Sequence, residues 1–340
     1  MSKNFVLIIP LVVKTALKVL VLLFVFVSCT ERVNKKVVKG KANAIQPMLS
    51  IKNGVSLVVL GTLQDAGSPH IACKKECCAV LFENPNPSRK VVSLGVLDHQ
   101  NRQTYLFEAT PDISEQAKLL KNFCSWEADD LPSGIFLTHA HIGHYSGLMF
   151  LGKEATNANA VPTYVMPKMK GFLEENGPWS QLVSENNIEL HSIENKKEVS
   201  LTSNLKVVPM QVPHRDEFSE TVGYRIQGPN KSALFIPDID KWEKWNSDIS
   251  EVIKTVDYAF LDASFFDGNE LNTRDISSIP HPFVIESMAL FKNLSSTEKA
   301  KIYFIHFNHT NALLDLESEQ AKTVLAKGFN IANFRDQFDL

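Results

Sequence analysis

Three histidines lie within six residues of a chain that has ten in all, and this cluster constrains the fold more than any other feature. The cluster has the sequence Thr138-His139-Ala140-His141-Ile142-Gly143-His144, and it directly follows the apolar run Ile135-Phe136-Leu137, which is typical of a short buried strand. Imidazoles at positions i and i+2 of a turn that leaves a strand can converge on one cation. A third, three residues on, can reach a neighbouring cation if a helix begins there. The spacing therefore predicts a metal site at the end of this strand rather than solvent-facing loop histidines.

Three further candidate ligands follow singly along the chain, each directly after a predicted strand. They are His214 after strand 206–211, Asp238 after strand 233–236, and His306 after strand 302–305. Alone, each residue would more often have a structural role. Their shared position at strand ends favours one common site with the histidine cluster.

From Val55 onward the chain alternates short β-rich runs with amphipathic helices, a pattern typical of an α/β domain. The predicted strands are 56–60, 104–107, 135–137, 206–211, 223–227, 233–236, 258–261 and 302–305, and the predicted helices are 111–123 and 283–291. The turn Gly228-Pro229-Asn230-Lys231 joins two of these strands as a hairpin. No internal repeat or low-complexity block divides this body.

The composition bounds the function only loosely. The chain has 340 residues and a formal net charge of -3, and 44% of its residues are hydrophobic, which is enough for one large α/β domain. A net charge so close to zero does not indicate the excess of positive charge that DNA binding requires, and no nucleic-acid partner is expected. A local pocket can still bind a phosphate group, so the expected partner is a small-molecule substrate.

The N-terminus differs from the rest of the chain. The segment from Phe5 to Val27 is almost wholly apolar apart from two lysines, and it is followed by Ser28-Cys29. This order predicts a secretory signal. The small residue before a cysteine resembles a bacterial lipobox, which would leave Cys29 as a lipidated N-terminus. An uncleaved anchor helix is the alternative. The expected organisation is a signal or anchor over residues 1–29, a polar tether over 30–50, and an extracytoplasmic, membrane-anchored domain over 51–340.

The histidine cluster resembles the H-x-H-x-D-H signature of the metallo-β-lactamase superfamily, and the other parts follow in the order of that family. The resemblance implies an αββα sandwich, with two mixed β-sheets and outer helices. The metal ligands that it implies are His139, His141 and His214 for a first ion, His144 and His306 for a second, and Asp238 as a bridge between them. Asp238 is also the carboxylate that would orient the attacking water. Asp262, after the next strand, would contact and orient these ligands without binding the metal itself.

Within the superfamily, the nearest likeness is to the pyrroloquinoline quinone biosynthesis protein B group. The segments that carry it are Leu60-Gly61, Ala109-Thr110-Pro111-Asp112 and Ile305-His306-Phe307-Asn308-His309-Thr310-Asn311. The cyclic phosphodiesterases of phosphonate breakdown are a related group, which shares an early cysteine cluster with this chain.

One position departs from the signature. Gly143 stands where the family has an aspartate that binds the second metal. The second ligand set then keeps only His144, His306 and the shared Asp238, and its metal affinity is expected to fall because one anionic ligand is missing.

A second cluster of candidate ligands lies early in the chain, at Cys73, Cys77 and Cys78. In the two related groups a C-x-C-x-x-C cluster holds a structural zinc ion, which a histidine three residues after the last catalytic histidine can complete. Here Lys75 stands at the middle position of that pattern, and Cys77 could substitute for the missing cysteine. His309 has the spacing of that histidine, so the resemblance implies a structural zinc site of Cys73, Cys77, Cys78 and His309. A disulfide such as Cys73–Cys77 is the alternative, since an extracytoplasmic location would permit it.

His281 stands between two prolines at the start of a predicted helix, where superfamily members often place a substrate-side histidine. Its expected role is catalytic, and a helix-start residue without chemistry is the alternative.

The resemblance favours a metal-dependent hydrolase that attacks a small ester-, phosphodiester- or lactam-type substrate with metal-activated water. Two alternatives stay open. One is an iron-dependent oxygenase in quinone cofactor chemistry, and the other is a non-catalytic metal-binding lipoprotein whose site has decayed at Gly143. Zinc is expected at one or two catalytic positions and at the structural position. A histidine-rich site with one carboxylate also suits iron(II). The oligomeric state and the substrate are left open.

Overall fold

Two seven-stranded β-sheets form the body of the chain. The computed structural model describes residues 54–271 and 279–340, and all elements below lie within these ranges. In chain order the strands are β1 (Val55–Gly61), β2 (Ser93–Asp98), β3 (Gln103–Phe107), β4 (Gly134–Phe136), β5 (Val161–Val165), β6 (Ile188–Ser192), β7 (Val199–Ser200), β8 (Lys206–Gln211), β9 (Val222–Gln227), β10 (Ser232–Ile236), β11 (Tyr258–Asp262), β12 (Ile302–Ile305), β13 (Asn330–Ile331) and β14 (Gln337–Asp339). The α-helices are α1 (Glu76–Glu83), α2 (Ile113–Asn122), α3 (Ile142–Tyr145), α4 (Pro167–Glu175), α5 (Trp179–Ser184), α6 (Ile249–Lys254), α7 (Val284–Leu290), α8 (Ser296–Lys299) and α9 (Glu319–Ala326).

The first sheet has the strand order β14-β1-β2-β3-β4-β5-β6. Strand β2 runs antiparallel to both β1 and β3, and the steps from β3 to β6 are parallel. Strands β1, β3, β4, β5 and β6 therefore all point the same way. The carboxyl ends of these strands, with the loops that follow them, meet at one edge of the sheet.

The second sheet has the order β13-β12-β11-β10-β9-β8-β7. The steps from β10 to β13 are parallel, and β9 runs antiparallel to both β8 and β10. Strands β8, β10, β11 and β12 therefore share a direction. The sheet has its own edge of carboxyl ends, where the loops after these four strands begin.

Apolar side chains from both sheets fill the space between them. Phe107 and Phe136 of the first sheet stack with ring centroids 4.9 Å apart, and Tyr224 and Phe235 of the second sheet pack edge-on against Phe107. All four side chains are fully buried. Two further apolar clusters lie on the outer faces, where the helices pack against the sheets. The layers are therefore helix, sheet, sheet and helix, and the expected αββα sandwich of two mixed sheets is confirmed.

The local predictions near the strand ends agree with the structure. The predicted runs 206–211 and 302–305 match β8 and β12 in full, and the predicted helix 111–123 contains α2. This helix buries Ile113, Gln116, Leu119 and Leu120, a spacing that places one face of a helix against a sheet. The turn after β9 closes a hairpin, since the backbone N–H of Gly228 donates to the carbonyl of Lys231 at 3.0 Å.

Candidate metal centre

Loops that leave four strand ends bring the predicted ligands together. His139 and His141 follow β4, and single ligands follow three strands of the second sheet. The donor atoms of His139, His141, His214 and Asp238 all lie within 4.8 Å of one another, as expected for the first ligand set. The Nε2 atom of His139 lies 3.3 Å from Oδ2 of Asp238, and Nε2 of His214 lies 3.2 Å from its Oδ1. Two donors bound to one tetrahedral zinc ion at about 2.0–2.1 Å would themselves lie about 3.4 Å apart.

The second ligand set differs in detail from the expectation. A second group of donor atoms within 4.8 Å of one another consists of Asp238, Asp262, His281 and His306. His144 lies beside this group, with its Nε2 atom 3.8 Å from Oδ2 of Asp238 and its ring centroid 5.4 Å from that of His306. Asp238 is thus shared between both groups, as the bridging role requires. The Nδ1 atom of His281 lies 3.1 Å from Asp238 and 2.9 Å from Asp262, so His281 lies inside the centre rather than on its rim.

The centre contains buried polar atoms that make no well-aligned hydrogen bond with the described residues, although some of them lie close to one another. These atoms are Nε2 of His144, Nε2 of His214, Nε2 of His306 and Oδ1 of Asp238. A buried polar atom without a partner costs about 1–3 kcal/mol, so four around one point are unfavourable unless a further group binds there. Neutral imidazole nitrogens and a carboxylate are donors that zinc and iron(II) accept. The residues present therefore fit a bound divalent metal.

In each of these three histidines the other ring nitrogen, Nδ1, contacts a polar side chain that orients the ring. His144 Nδ1 lies 3.1 Å from Oε1 of Glu108, His214 Nδ1 lies 3.2 Å from Asp240, and His306 Nδ1 lies 2.8 Å from Oγ of Ser264. Such partners orient a histidine ligand and aim its Nε2 atom at the metal. Because Ser264 also donates to Asp262 at 2.8 Å, the expected supporting role of that aspartate reaches His306 through the serine.

Glu108 contacts the centre although no motif of the sequence indicates it. It is fully buried, and its Oε1 also accepts a 2.6 Å hydrogen bond from the Thr138 hydroxyl, next to the histidine cluster. Glu108 and His306 both follow a strand directly and both have positive φ, 85° and 68°. This backbone conformation costs about 1–3 kcal/mol for a residue other than glycine, and its cost is commonly tolerated where a side chain must be aimed.

Electrostatics favour the metal-binding protonation states of His139 and Asp238, whereas nearby carboxylates outweigh burial and raise the pKa values of the other buried histidines, His144, His214 and His281. Burial and the neighbouring imidazole of His144 hold the pKa of His139 well below its usual range, which keeps its ring neutral and its lone pair free. Burial opposes ionisation of Asp238, but the surrounding histidines, His214 first among them, hold the pKa of its carboxyl well below the usual range. A neutral imidazole and an ionised carboxylate are the forms that bind a cation.

Gly143 and its surroundings also differ from the expectation of a missing carboxylate. The carboxylate of Asp65, in the loop after β1, accepts a hydrogen bond of 3.1 Å from the backbone N–H of Gly143. The same Oδ1 atom lies 3.2 Å from Nε2 of His144. The second ligand set therefore has a carboxylate beside it that the sequence analysis did not identify.

The cysteine cluster forms a separate group. The donor atoms of Cys73, Cys77, Cys78 and His309 lie within 4.8 Å of one another. The three cysteines are free thiols, so the alternative disulfide Cys73–Cys77 is not formed in this structure. His309 contacts Asn308 through Nδ1 at 3.0 Å, which leaves Nε2 for a ligand. This geometry fits the expected structural zinc ion.

The predicted N-terminal features lie outside the described residues. They are the signal or anchor over 1–29, the lipidated Cys29 and the tether over 30–50. Among the residues that the structure does describe, no helix has the length and apolar character to cross a membrane.

Comparisons with known proteins agree with this geometry. The family described as a beta-lactamase superfamily domain matches residues 103–307, which include all six expected ligands of the centre. Coenzyme PQQ synthesis protein B of Methylorubrum extorquens strain PA1 is 21% identical over 309 residues, which cover 82% of this chain and 97% of that protein.

Two solved structures extend the likeness to the fold. Zinc-bound PqqB from Methylobacterium extorquens superposes with a TM-score of 0.70 and 19% identity, covering 84% of this chain and all of that one. A diphosphatase from the PhnP family superposes with a TM-score of 0.58 and 23% identity, covering 84% of this chain and 97% of that one. The matched family, the two mixed sheets and the cluster of histidines and aspartates lead to one assignment: the chain belongs to the β-lactamase superfamily and has the metallo-β-lactamase fold.

Proposed function

We propose that this chain is a metal-dependent hydrolase that cleaves a small ester- or phosphodiester-type substrate with metal-activated water. The observation that carries the proposal is the pair of donor groups that share Asp238, together with the four buried polar atoms that lack another partner. A zinc ion, when bound, would act as a Lewis acid and lower the pKa of a coordinated water molecule to about 7. The similarity to a diphosphatase supports a bond to phosphorus over a lactam as the bond that is cleaved.

The protein's own groups have distinct roles in this proposal. Asp238 belongs to both donor groups and would link the metal ions that they hold. Its carboxylate is the acceptor that orients the nucleophilic water. Asp262 accepts from Nδ1 of His281 at 2.9 Å, which fixes the ring and leaves its Nε2 atom as the nitrogen free to contact a substrate. His281 is therefore the candidate substrate-side catalytic residue.

A cavity next to the first ligand set fits a small substrate. It has a volume of about 360 Å³, and His214 forms part of its wall together with Lys196, Lys244 and Trp245. Ligand pockets of small molecules are commonly about 300–1,000 Å³. The two lysines favour an anionic substrate, although Lys244 also pairs with Asp240 at 2.9 Å.

The test is hydrolysis by the metal-loaded protein of bis(4-nitrophenyl) phosphate, a 2′,3′-cyclic nucleotide, 4-nitrophenyl acetate and a chromogenic β-lactam. Removal of metal by a chelator should abolish turnover, and added zinc should restore it. His214→Ala should lose turnover. The control is His191→Ala, which should keep it, because His191 is a partly exposed residue of β6 that pairs with Glu189 and contacts none of the ligands. The proposal fails if purified protein holds no metal, or if it holds metal and hydrolyses none of these bonds. Iron in the purified protein, without hydrolysis, would favour the oxygenase alternative instead.

A further inference from the structure

We infer that Asp65 supplies the carboxylate ligand of the second metal, from the loop after β1 instead of from the histidine cluster. The inference rests on the proposed function only in that a second ion binds at the centre. Three independent features of the structure support it.

The first feature is the position of the donor atom. Oδ1 of Asp65 lies 3.2 Å from Nε2 of His144, which is close to the separation of about 3.4 Å expected for two ligands of one tetrahedral zinc ion. Glu108 already occupies the Nδ1 side of His144, at 3.1 Å. The Nε2 atom is therefore the nitrogen left for a metal, and carboxylate oxygens of Asp65, at 3.2 Å, and Asp238, at 3.8 Å, both lie next to it.

The second feature is the space around Gly143. A Cβ atom on this glycine would lie 2.3 Å from Cα of Asp65 and 2.4 Å from its Oδ1. Atoms that are not bonded cannot approach so closely, and Asp65 thus occupies the volume in which a side chain at position 143 would begin. Gly143 does not have positive φ, so space rather than backbone conformation requires glycine here.

The third feature is the rigidity of the loop that carries Asp65. Backbone hydrogen bonds join Gln64 to Phe307 at 2.9 Å and Phe307 to Thr62 at 2.8 Å, which ties the loop to the segment after His306. A tight turn follows, in which the N–H of Gly67 donates to Gln64 at 2.8 Å and Gly67 has a φ of 68°. The side chain of Asp65 is only 16% exposed. The backbone therefore places this carboxylate at the centre, as a ligand requires.

The topology explains how a residue so far from the histidine cluster in sequence reaches it. Strand β1 points the same way as β3 and β4, because β2 runs antiparallel to both β1 and β3. The loop after β1 consequently begins at the edge of the sheet where the histidine cluster follows β4.

The experiment compares zinc binding by the wild type with binding by Asp65→Asn, which keeps the shape and the hydrogen-bond acceptor for Gly143 but removes the charge. The matched control is Asp112→Asn, since Asp112 also accepts a backbone hydrogen bond, from Val91 at 2.8 Å, and contacts no residue of the centre. Zinc content by elemental analysis and zinc affinity by chelator competition are the readouts. We expect Asp65→Asn to bind one zinc ion fewer per chain, or to bind that ion at least about 10-fold more weakly. Asp112→Asn should match the wild type.

A crystal of the zinc-loaded wild type gives a second, independent measurement. Anomalous scattering at the zinc edge should show an ion within about 2.2 Å of a carboxylate oxygen of Asp65. Unchanged zinc content and affinity in a folded Asp65→Asn variant, or a second ion out of reach of Asp65, would overturn the inference and leave the proposed function standing. A wild type with one ion at the centre would overturn the inference as well. A wild type with none would overturn the proposed function itself.

Discussion

Glu108→Gln should weaken the binding of one metal ion although Glu108 touches no metal in any assignment above. The carboxylate accepts from Nδ1 of His144 at 3.1 Å and from the hydroxyl of Thr138 at 2.6 Å, and its Oε2 faces the Thr138 backbone N–H at 3.3 Å. A glutamine keeps the shape but has only one accepting oxygen. Its NH₂ group would have to face one of these donors, which leaves that donor without an acceptor.

The size of the effect follows from the lost interactions. A hydrogen bond to a charged group contributes about 1.5–3 kcal/mol, and each 1.4 kcal/mol is about tenfold in an equilibrium constant. If the loss falls on the orientation of His144, zinc affinity at the second position should drop about 10- to 100-fold, the usual range for partners of metal ligands. The ion held by His139, His141 and His214 should be retained, because Glu108 reaches only His139 among them, and only through the Thr138 hydroxyl, which lies 2.9 Å from Nδ1 of His139.

The assay is a competition titration of zinc against a chelator, with thermal unfolding of the metal-free protein measured alongside. Glu270→Gln is the matched control. Glu270 also accepts from a backbone N–H, that of Phe266, and from a threonine hydroxyl, that of Thr310 at 3.0 Å, but it contacts no histidine of the centre. Both variants should lose some stability, and only Glu108→Gln should lose zinc affinity. Equal zinc affinity in the two variants would refute the reasoning, as would loss of both ions in Glu108→Gln.

Three further predictions address the ligand sets, the core and the N-terminus. His141→Ala should lose tight binding of the first ion while His144→Ala keeps it, as counted by elemental analysis, and equal loss in both would mean that the two-set assignment is wrong. Phe136→Ala should lower the free energy of unfolding in denaturant titration by about 3–5 kcal/mol, because the ring is fully buried and stacked on both faces; a loss below about 1 kcal/mol would contradict this packing. Cys29→Ser should move the protein expressed in a bacterial host from the membrane fraction to the soluble fraction if Cys29 is lipidated, and an unchanged membrane fraction would instead support the uncleaved anchor helix.

The strands that carry the centre were predictable because each combines the composition of a strand with a polar residue that marks its end. The run 302–305 consists of β-branched and aromatic residues, and 206–211 contains the pair Val207-Val208 although it also contains Pro209. A polar ligand follows each run and marks its end. Strand β2 was not predicted, because Gly95 interrupts it. A Cβ atom there would lie 2.6 Å from Leu120 and 2.8 Å from Leu60, so the glycine allows α2 to approach the sheet. Only the packing reveals that reason.

Strand β5 was missed for a related cause. It contains Pro162, which lowers the β-propensity of a run that otherwise has the composition of a strand. In the structure β5 pairs in parallel with β4 and β6, and Pro162 lies opposite Glu189 at the start of that pairing. A proline near the beginning of a strand removes one donor only, which the sheet tolerates.

The candidate centre was predictable to the extent that its residues form a spaced motif. His139, His141 and His144 have such a spacing, whereas Glu108 and Asp65 stand alone among ordinary acidic residues of the chain. What marks them is three-dimensional. Glu108 is a fully buried carboxylate at a strand end, and Asp65 belongs to a loop that begins at the same edge of the sheet. Neither property can be derived before the strand order is known.

The difference between a lost ligand and a relocated one decides how Gly143 is interpreted. As a motif position, Gly143 indicates a weakened second metal set, and it is the basis of the alternative of a decayed, non-catalytic site. In space, the volume next to it holds the carboxylate of Asp65, whose Oδ1 accepts the N–H of Gly143 itself. The two positions depend on each other. A side chain at 143 would collide with Cα of Asp65 at 2.3 Å, so Gly143→Asp alone cannot restore the family pattern without moving the loop after β1. On the proposed assignment, the glycine is the condition for Asp65 to reach His144. Its presence then supports a complete second ligand set and removes the main argument for a decayed site.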